Sequence, residues 1–197
     1  MPDAQTSVRG APKPRLWQLM EHFEPCDIRL PLVPILKNPN PAPAGANFHV
    51  LSAASPLKWR QAAERLACYF RREFQYDFPP YRATEEDGDD EVSRDRVLIF
   101  GRNTWSRTGA VGIFFFGAVG VRWVEDEDDA PPCWSLEWAW FHPYERGKGH
   151  LSRAWPHLLQ LFPDPSLAHP LSKAMIEFLR KAGYATPLEK PESDFRR

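Results

Sequence analysis

Two kinds of hydrophobic spacing alternate along the middle of the chain. Residues 48–51 form a short, mostly apolar run typical of a strand, and Ser55 and Pro56 then form the kind of N-cap and first-turn pair that opens a helix. From there the apolar side chains recur at helical spacing, with basic side chains on the other face. The pattern therefore predicts a strand followed by an amphipathic helix, which the Pro79-Pro80 pair ends.

The second half of the chain predicts several strands and then two helices. The predicted strands are residues 96–100, residues 110–124 as one long strand or two, and residues 134–141, with a turn at 103–109. The predicted helices are residues 149–162 and residues 171–182, with Gly183 as a terminator. This order of strands and helices predicts a mixed α/β fold.

Residues 1–46 are rich in proline, and within residues 25–43 the prolines recur too often for a helix or a central strand. Apolar side chains within residues 16–23 fall at helical spacing and predict one short helix. The apolar side chains of this arm are unfavourable in water, so we expect the arm to pack on the core or on a second copy of the chain. In the second case the protein would be a homodimer. The chain then divides into an arm at 1–46, a domain at 47–184 and a tail at 185–197.

Composition and charge narrow the class of protein. The 197 residues are 43% hydrophobic and 26% charged, which is typical of one folded domain. The 25 basic and 26 acidic side chains give a formal charge of -1, so there is no positive field to hold nucleic acid or an anionic membrane surface. The longest run without a polar side chain, residues 109–121, has 13 residues, whereas a membrane-spanning helix needs about 20. We therefore expect neither nucleic acid nor a membrane as a partner.

The cysteines indicate the compartment. Cys26, Cys68 and Cys133 are odd in number and far apart, which predicts reduced thiols and a cytoplasmic protein. The histidines and cysteines also lack the local spacing of a four-ligand metal motif. The sequence therefore predicts no metal site.

A short segment between a strand and a helix holds the most informative chemistry. It reads F-H-P-Y-E-R-G-K-G-H-L from Phe141 to Leu151, so a strand leads into a loop with two glycines and then into a helix. Successive N–H groups in such a loop converge at the positive end of the helix dipole and can bind a phosphate group. The segment is not a P-loop, because His142 stands where the first glycine is needed and Gly149 where serine or threonine is needed. It also lacks the third glycine of the dinucleotide-binding fingerprint.

The segment resembles the central motif of the GNAT superfamily of N-acetyltransferases, in which a strand is followed by V-x-P-x-x-R-G-x-G-x-G/A and a helix. Phe141 takes the place of the valine and Pro143 that of the proline. The stretch 146–149 matches R-G-x-G, and Leu151 takes the place of the last small residue. The resemblance extends over residues 47–184 and implies an acyltransferase-like fold with a mixed, mostly antiparallel central sheet flanked by helices.

The resemblance also implies acetyl-CoA as the cosubstrate and transfer of its acetyl group to a primary amine of a small molecule or a peptide. The residues that would bind the pyrophosphate are Arg146, Gly147, Lys148, Gly149, His150 and Leu151. Those that would lie along the pantetheine arm are Trp140, Phe141 and His142. Because only 13 residues follow Tyr184, the resemblance implies a sheet that is truncated at its C-terminal end or completed by another chain.

Acyl transfer to an amine needs a base that removes a proton and an acid that returns one to the thiolate. Glu137 is the candidate base, because it lies four residues before Phe141 on the predicted strand and so on the same face. A strand glutamate that reaches water is the alternative interpretation. The family often uses a tyrosine of its last helix as the acid, where this chain has Leu179. Tyr184 and Ser172 are the candidate substitutes, with helix-end packing and an N-cap as their respective alternative roles.

A second class of function also fits the sequence. His142 is a further titratable side chain beside the loop, but as a lone histidine next to a proline it is more typical of a structural role. The absence of a tyrosine at the Leu179 position and the short C-terminal end favour a non-catalytic protein with a degenerate acetyltransferase fold. Such a protein would bind CoA or act as a protein-interaction module.

Overall fold

The computed structural model describes residues 32–34, 47–77, 79–84, 94–105, 111–125 and 131–184. Its strands are β1 Leu32–Pro34, β2 Phe48–Leu51, β3 Asp95–Trp105, β4 Val111–Val124, β5 Cys133–Phe141 and β6 Ser166–Leu167. Its helices are α1 Leu57–Phe74, α2 His150–Leu161 and α3 Lys173–Lys181, and a 3-10 turn at Pro143–Glu145 lies between β5 and α2.

The strands form one six-stranded sheet in the order β2-β3-β4-β5-β6. Every neighbouring pair is antiparallel except β5 and β6, which are parallel. Strand β1 pairs antiparallel with residues 112–114 of β4, on the edge that β5 uses at residues 117–124. β1 therefore continues the line of β5 along the same edge of β4. The mixed, mostly antiparallel sheet confirms the predicted fold class.

Helices cover both faces of the sheet. On one face, α1 buries apolar side chains that recur at the predicted helical spacing, among them Trp59, Leu66 and Phe70. On the other face, α2 and α3 pack side chains such as Leu158 and Leu179 against the sheet. The result is a three-layer arrangement in which the sheet is buried between helices, so its strand ends are the places where a ligand can reach the backbone.

Two glycines of β4 allow aromatic side chains of β5 to lie across its backbone. A Cβ atom at Gly117 would lie 2.2 Å from Cδ1 of Phe141, and one at Gly120 would lie 2.0 Å from Nε1 of Trp138. No side chain fits at these distances, so glycine is required at both positions. The close approach fixes the carboxyl end of β5, where the candidate loop begins.

The start of α1 differs from the prediction. The helix begins at Leu57 with Pro56 as its N-cap, one residue later than predicted. Pro56 has no side-chain capping bond, and the Ser55 hydroxyl oxygen accepts a hydrogen bond from the N–H of Ser52 at 3.1 Å.

One turn of the sheet differs from the prediction, one open alternative is decided and one strand pair is additional. The predicted turn at 103–109 starts too early, because β3 continues through Trp105, which pairs with Val111. Of the two alternatives for the next segment, the structure has one strand, Val111–Val124. The pairing of β6 with β5 was not predicted. β6 is a parallel strand of only two residues, so its hydrophobic pattern is too short to be distinctive.

Some predictions fall on residues outside the described ranges, namely the short helix within 16–23 and the tail at 185–197. Of the arm, the structure describes β1, whose Pro34 carbonyl accepts a hydrogen bond from Nε1 of Trp59 at 3.1 Å. The division into arm, domain and tail stays a prediction. None of the helices in the described ranges is long and apolar enough to cross a bilayer.

Candidate functional site

A cleft opens where β5 and β6 separate. β6 pairs only with Ser135 and Leu136, and the last hydrogen bond runs from the N–H of Ala168 to the carbonyl of Leu136. Beyond this point the edge of β5 faces a cleft of about 410 Å³, which is within the usual range of small-molecule sites. Its other walls are the loop after β5, the first turn of α2 and one side of α3.

The loop presents its backbone to this cleft. Gly147 and Gly149 have φ angles of 72° and 73°, and Gly149 is the N-cap of α2. Within the described residues, the N–H groups of residues 147–152 have no hydrogen-bond partner. The first turn of α2 contains no acidic residue. Consecutive free N–H groups at the positive end of a helix dipole form an anion-binding site.

The side chain of Arg146 makes hydrogen bonds within the protein. Its Nε donates to the carbonyl of Phe141 at 2.9 Å, and its Nη1 and Nη2 donate to the two carboxylate oxygens of Glu73 at 2.7 and 2.5 Å. Its backbone N–H donates to the carbonyl of Pro143. All three guanidinium nitrogens of Arg146 therefore donate to the protein, which leaves one further N–H on each of Nη1 and Nη2. The backbone of the residues that follow supplies the other donors beside the cleft. Sequence reasoning did not find Glu73, which lies in the last turn of α1.

A second carboxylate, Glu145, braces the loop. Its side chain is only 8% exposed and contacts Nη1 of Arg102 at 3.1 Å, Nζ of Lys148 at 3.2 Å and Nε2 of His150 at 3.0 Å. Burial raises the pKa of Glu145, but the hydrogen bonds from His150 and Lys148 and the charge of Arg102 outweigh it, so the pKa lies below its usual value. Glu145 is therefore a carboxylate that connects the loop to β3.

The hydrogen-bond roles of the two ring nitrogens of His150 follow from their partners. Its Nδ1 lies 3.2 Å from Nη2 of Arg153, and because a guanidinium only donates, Nδ1 must accept. Nε2 then carries the proton and donates it to Glu145. The ring, which lines the cleft, is also parallel to that of Phe141. His150 is thus a wall of the cleft whose two ring nitrogens both have partners in the protein.

The Glu145 contacts predict an acid-sensitive contribution to stability. A carboxylate whose pKa is lower in the folded protein stabilises it above the pKa of the unfolded chain, and the contribution is lost as the pH falls through the folded-state pKa. We expect the free energy of unfolding of the native protein to fall more steeply below about pH 4.3 than that of Glu145→Gln. Urea unfolding at a series of pH values measures this, and parallel curves for the two proteins would contradict it.

The residues predicted to lie along the pantetheine arm divide into two groups. Trp140 and Phe141 line the cleft, and Nε1 of Trp140 donates to Glu73 at 2.8 Å. His142 is buried outside the lining, its N–H donates to the carbonyl of Phe116, and its Nδ1 accepts from the N–H of Tyr144 at 3.2 Å. Its side chain therefore caps the 3-10 turn.

The residues predicted at the pyrophosphate lie around the loop. Gly147, Gly149, His150 and Leu151 line the cleft, whereas the side chain of Lys148 turns back to Glu145.

Glu137 is the extra residue of a β-bulge. Leu136 lies opposite Val121 and Trp138 opposite Gly120, so Glu137 has no partner on β4. The alternation of side chains along β5 is interrupted at this point. Leu136 and Trp138 would lie on the same face of a regular strand, but Leu136 packs on the α2 and α3 face and Trp138 on the α1 face. Bulges of this kind redirect a side chain and are common beside active sites.

A smaller cavity of about 50 Å³ adjoins Glu137 and shares walls with the main cleft. Among the described residues that line it, Glu137 has the only charged side chain, and aromatic side chains form much of the rest, including Phe70, Phe74 and Tyr76. Ser172 lines both cavities. The structure therefore brings Glu137 and Ser172 to one place.

The two candidate acids lie in different surroundings. Ser172 is the N-cap of α3, and its hydroxyl oxygen accepts from the N–H of Met175 at 3.2 Å. Tyr184 lies outside both cavities: its hydroxyl donates to the carbonyl of Pro165, and its ring packs edge-on against Trp155. Leu179 is fully buried in the core. Ser172 thus caps a helix and Tyr184 packs near a helix end, as their alternative interpretations describe. Of the two, only Ser172 also lines the cleft.

Among the described residues, no three His, Cys, Asp or Glu side chains are placed to hold a metal ion.

No protein-family model matches this sequence, and no curated protein matches it. Similar solved structures include an integron cassette protein from the mobile metagenome of V. cholerae, which is 12% identical with a TM-score of 0.45 over 78% of this chain and 94% of that one. An aminoglycoside acetyltransferase from an uncultured soil metagenomic sample, in complex with sisomicin, is 11% identical with a TM-score of 0.42 over 74% and 90%. A mutant Bacillus halodurans protein is 9% identical with a TM-score of 0.40 over 73% and 98%. Likenesses this remote carry no argument about what this chain binds.

Proposed function

We propose that the cleft binds acetyl-CoA and that the protein is an N-acetyltransferase which transfers the acetyl group to a primary amine. One observation carries the proposal: residues 147–152 have six consecutive N–H groups without partners among the described residues, and five of these six residues line the same cleft as the open edge of β5. A pyrophosphate needs the first feature, and a pantetheine arm with two amide groups needs the second.

The residues present fit this cosubstrate. A Cβ atom at Gly147 would have no other atom within 4 Å, so the loop backbone is open to a close approach by phosphate. The positive end of the α2 dipole faces the same group, and no acidic side chain of the first turn opposes it. On β5, Ala139, Trp140 and Phe141 line the cleft beyond the β6 pairing, which supports their predicted place along the pantetheine arm.

Acetyl-CoA supplies a reactive thioester, and the chain supplies a base and a hydrogen-bond donor. We assign Glu137 as the base that accepts the proton of the attacking amine, because its carboxylate is the charged group of the small cavity. We assign Ser172 as the hydrogen-bond donor that stabilises the leaving thiolate, which then takes its proton from water. Its oxygen accepts from Met175, which leaves its own O–H free to donate.

The small cavity also supports a cationic acceptor. An ammonium group is stabilised both by a carboxylate and by the faces of aromatic rings, and this cavity has Glu137 together with several aromatic walls. A primary amine of a small molecule or a peptide fits this description. The free thiols of Cys68 and Cys133 support the cytoplasm as the compartment in which it acts.

A non-catalytic CoA-binding module is the second candidate function. It is favoured by Tyr184, whose hydroxyl is already engaged by Pro165, and by Leu179, which is buried in the core. Both candidates require CoA binding, and only the first requires acetyl transfer. A thiol-release assay with acetyl-CoA and a panel of amines separates them.

Titration calorimetry with CoA and with pantetheine tests the proposal. We expect both to bind and CoA to bind more tightly, because only CoA carries the pyrophosphate that the N–H groups of the loop would hold. No heat of binding at about 1 mM CoA, which corresponds to a very weak site, would refute the proposed function. Equal affinities for the two ligands would show that the loop does not contribute to CoA binding.

A further inference from the structure

We propose that Glu73 is a positioning residue for the backbone at residues 147–152, which comprises the loop after β5 and the first turn of α2. Its carboxylate holds the Arg146 guanidinium, and through Arg146 it sets the direction in which the N–H groups of the loop point. This inference rests on the proposed function, because the loop matters only if it receives the pyrophosphate of CoA.

One carboxylate joins three parts of the fold. The two oxygens of Glu73 accept from Nη1 and Nη2 of Arg146 at 2.7 and 2.5 Å, and Oε2 also accepts from Nε1 of Trp140 at 2.8 Å. The guanidinium also donates through Nε to the carbonyl of Phe141 at 2.9 Å. The Glu73 side chain is only 6% exposed. It therefore connects the end of α1 to the end of β5 and to the first residue of the loop.

The position of Glu73 is unfavourable for a carboxylate on local grounds. It lies in the last turn of α1, where the helix dipole is negative and cations are favoured, and its neighbours Arg71 and Arg72 follow that rule. Burial adds a further cost to the charge. The three donors from Arg146 and Trp140 offset both costs. A residue that conflicts with its own helix but completes a contact at a cleft is expected to serve that cleft.

The backbone of the loop needs contacts with α1 to hold its conformation. Gly147 and Gly149 both have positive φ, and glycine backbones are the least restricted of all. A side chain at Gly147 would touch nothing within 4 Å, so packing does not hold this part of the chain. Helix α2 fixes the far end of the loop, and Arg146 fixes the near end. The contacts of Glu145 with Lys148 and His150 brace the loop on the β3 side, whereas Glu73 ties it to α1.

Glu73→Gln in the full chain tests the inference, with CoA and pantetheine as the probes. We expect CoA to bind roughly 10-fold more weakly, the scale of one hydrogen bond to a charged group, and pantetheine to bind as before. Arg146→Lys should give the same fall in the ratio of the two affinities, since an ammonium cannot make the two parallel bonds of a guanidinium. The double variant should be no weaker than the weaker single variant, because both substitutions remove the same interaction.

Asp95→Asn is the matched control. Asp95 is also buried and also paired with an arginine, since Nε of Arg122 donates to its Oδ1 at 2.8 Å. This pair lies at the start of β3, away from the loop, so its loss should lower stability and leave the ratio of affinities unchanged. A purely structural role for Glu73 would give the same result as this control.

The outcomes separate the two claims. If the native protein binds CoA and Glu73→Gln leaves the ratio unchanged, or weakens CoA and pantetheine equally, the positioning role is refuted and the proposed function stands. If the native protein binds no CoA, the proposed function fails and the positioning role fails with it. Should Glu73→Gln not fold, Arg146→Lys supplies the same measurement.

Discussion

Gly149→Glu is expected to abolish CoA binding. Gly149 caps α2 with a φ of 73°, and its N–H is one of the six consecutive groups without a partner. A glutamate there brings a negative charge to the position that the pyrophosphate would occupy, where the helix dipole would otherwise attract an anion. Like charges at such short range repel strongly. Titration calorimetry with CoA measures the loss.

Backbone strain must be separated from charge in this experiment. A non-glycine residue at positive φ costs roughly 1–2 kcal/mol, whatever its charge. Gly183→Glu is the control, because Gly183 has a φ of 75° with no atom within 4 Å of a Cβ, and it lies after α3 outside the lining of the cleft. Gly149→Ala adds the strain without the charge. CoA binding by Gly149→Glu at native strength would show that the pyrophosphate lies elsewhere.

The elements beside the cleft follow from local sequence signals. The glycines at 147 and 149 and the amphipathic pattern after them predict a helix from about residue 149, and in the structure Gly149 is the N-cap and α2 begins one residue later, at His150. The apolar run before His142 likewise gives β5. These features depend on the spacing of neighbouring residues, which a sequence displays directly.

The features that complete the site depend on contacts between distant residues. Glu73 meets Arg146 across 73 positions, and a single glutamate at a helix end gives no sign of its partner. The bulge at Glu137 is a property of the register between β4 and β5, and period-two spacing along one strand cannot reveal it. The same limit applies to Tyr184, whose hydroxyl direction depends on the position of Pro165.

The bulge changes the argument for Glu137 without removing it. Sequence reasoning placed Glu137 and Phe141 on one face because it assumed unbroken alternation. In the structure, alternation is interrupted at Glu137 itself, and the side chain lines the small cavity while Phe141 lines the main cleft. The shared walls of the two cavities, among them Ala139 and Ser172, still connect the proposed base to the proposed site of the thioester.

Glu137→Gln is therefore expected to lower the rate of acetyl transfer by roughly 10²-fold or more, which is the usual scale for a lost general base. The amide keeps the size of the side chain but cannot accept the proton of the attacking amine. CoA affinity should stay at the native value, because Glu137 lines the small cavity and not the loop. Glu64→Gln on α1, outside the lining of both cavities, is the control for the loss of one carboxylate.

Two substitutions at Glu137 distinguish a base from a structural role. If Glu137 accepts the proton, Glu137→Gln should keep a low rate at every pH of the assay. Glu137→Asp retains the carboxylate one methylene further away and should recover part of the rate. A thiol-release assay with an active amine between about pH 6 and 9 measures all three proteins. Equal rates for Glu137→Gln and the native protein over that range would assign Glu137 a structural role at the bulge, and the proton would then have to leave through water.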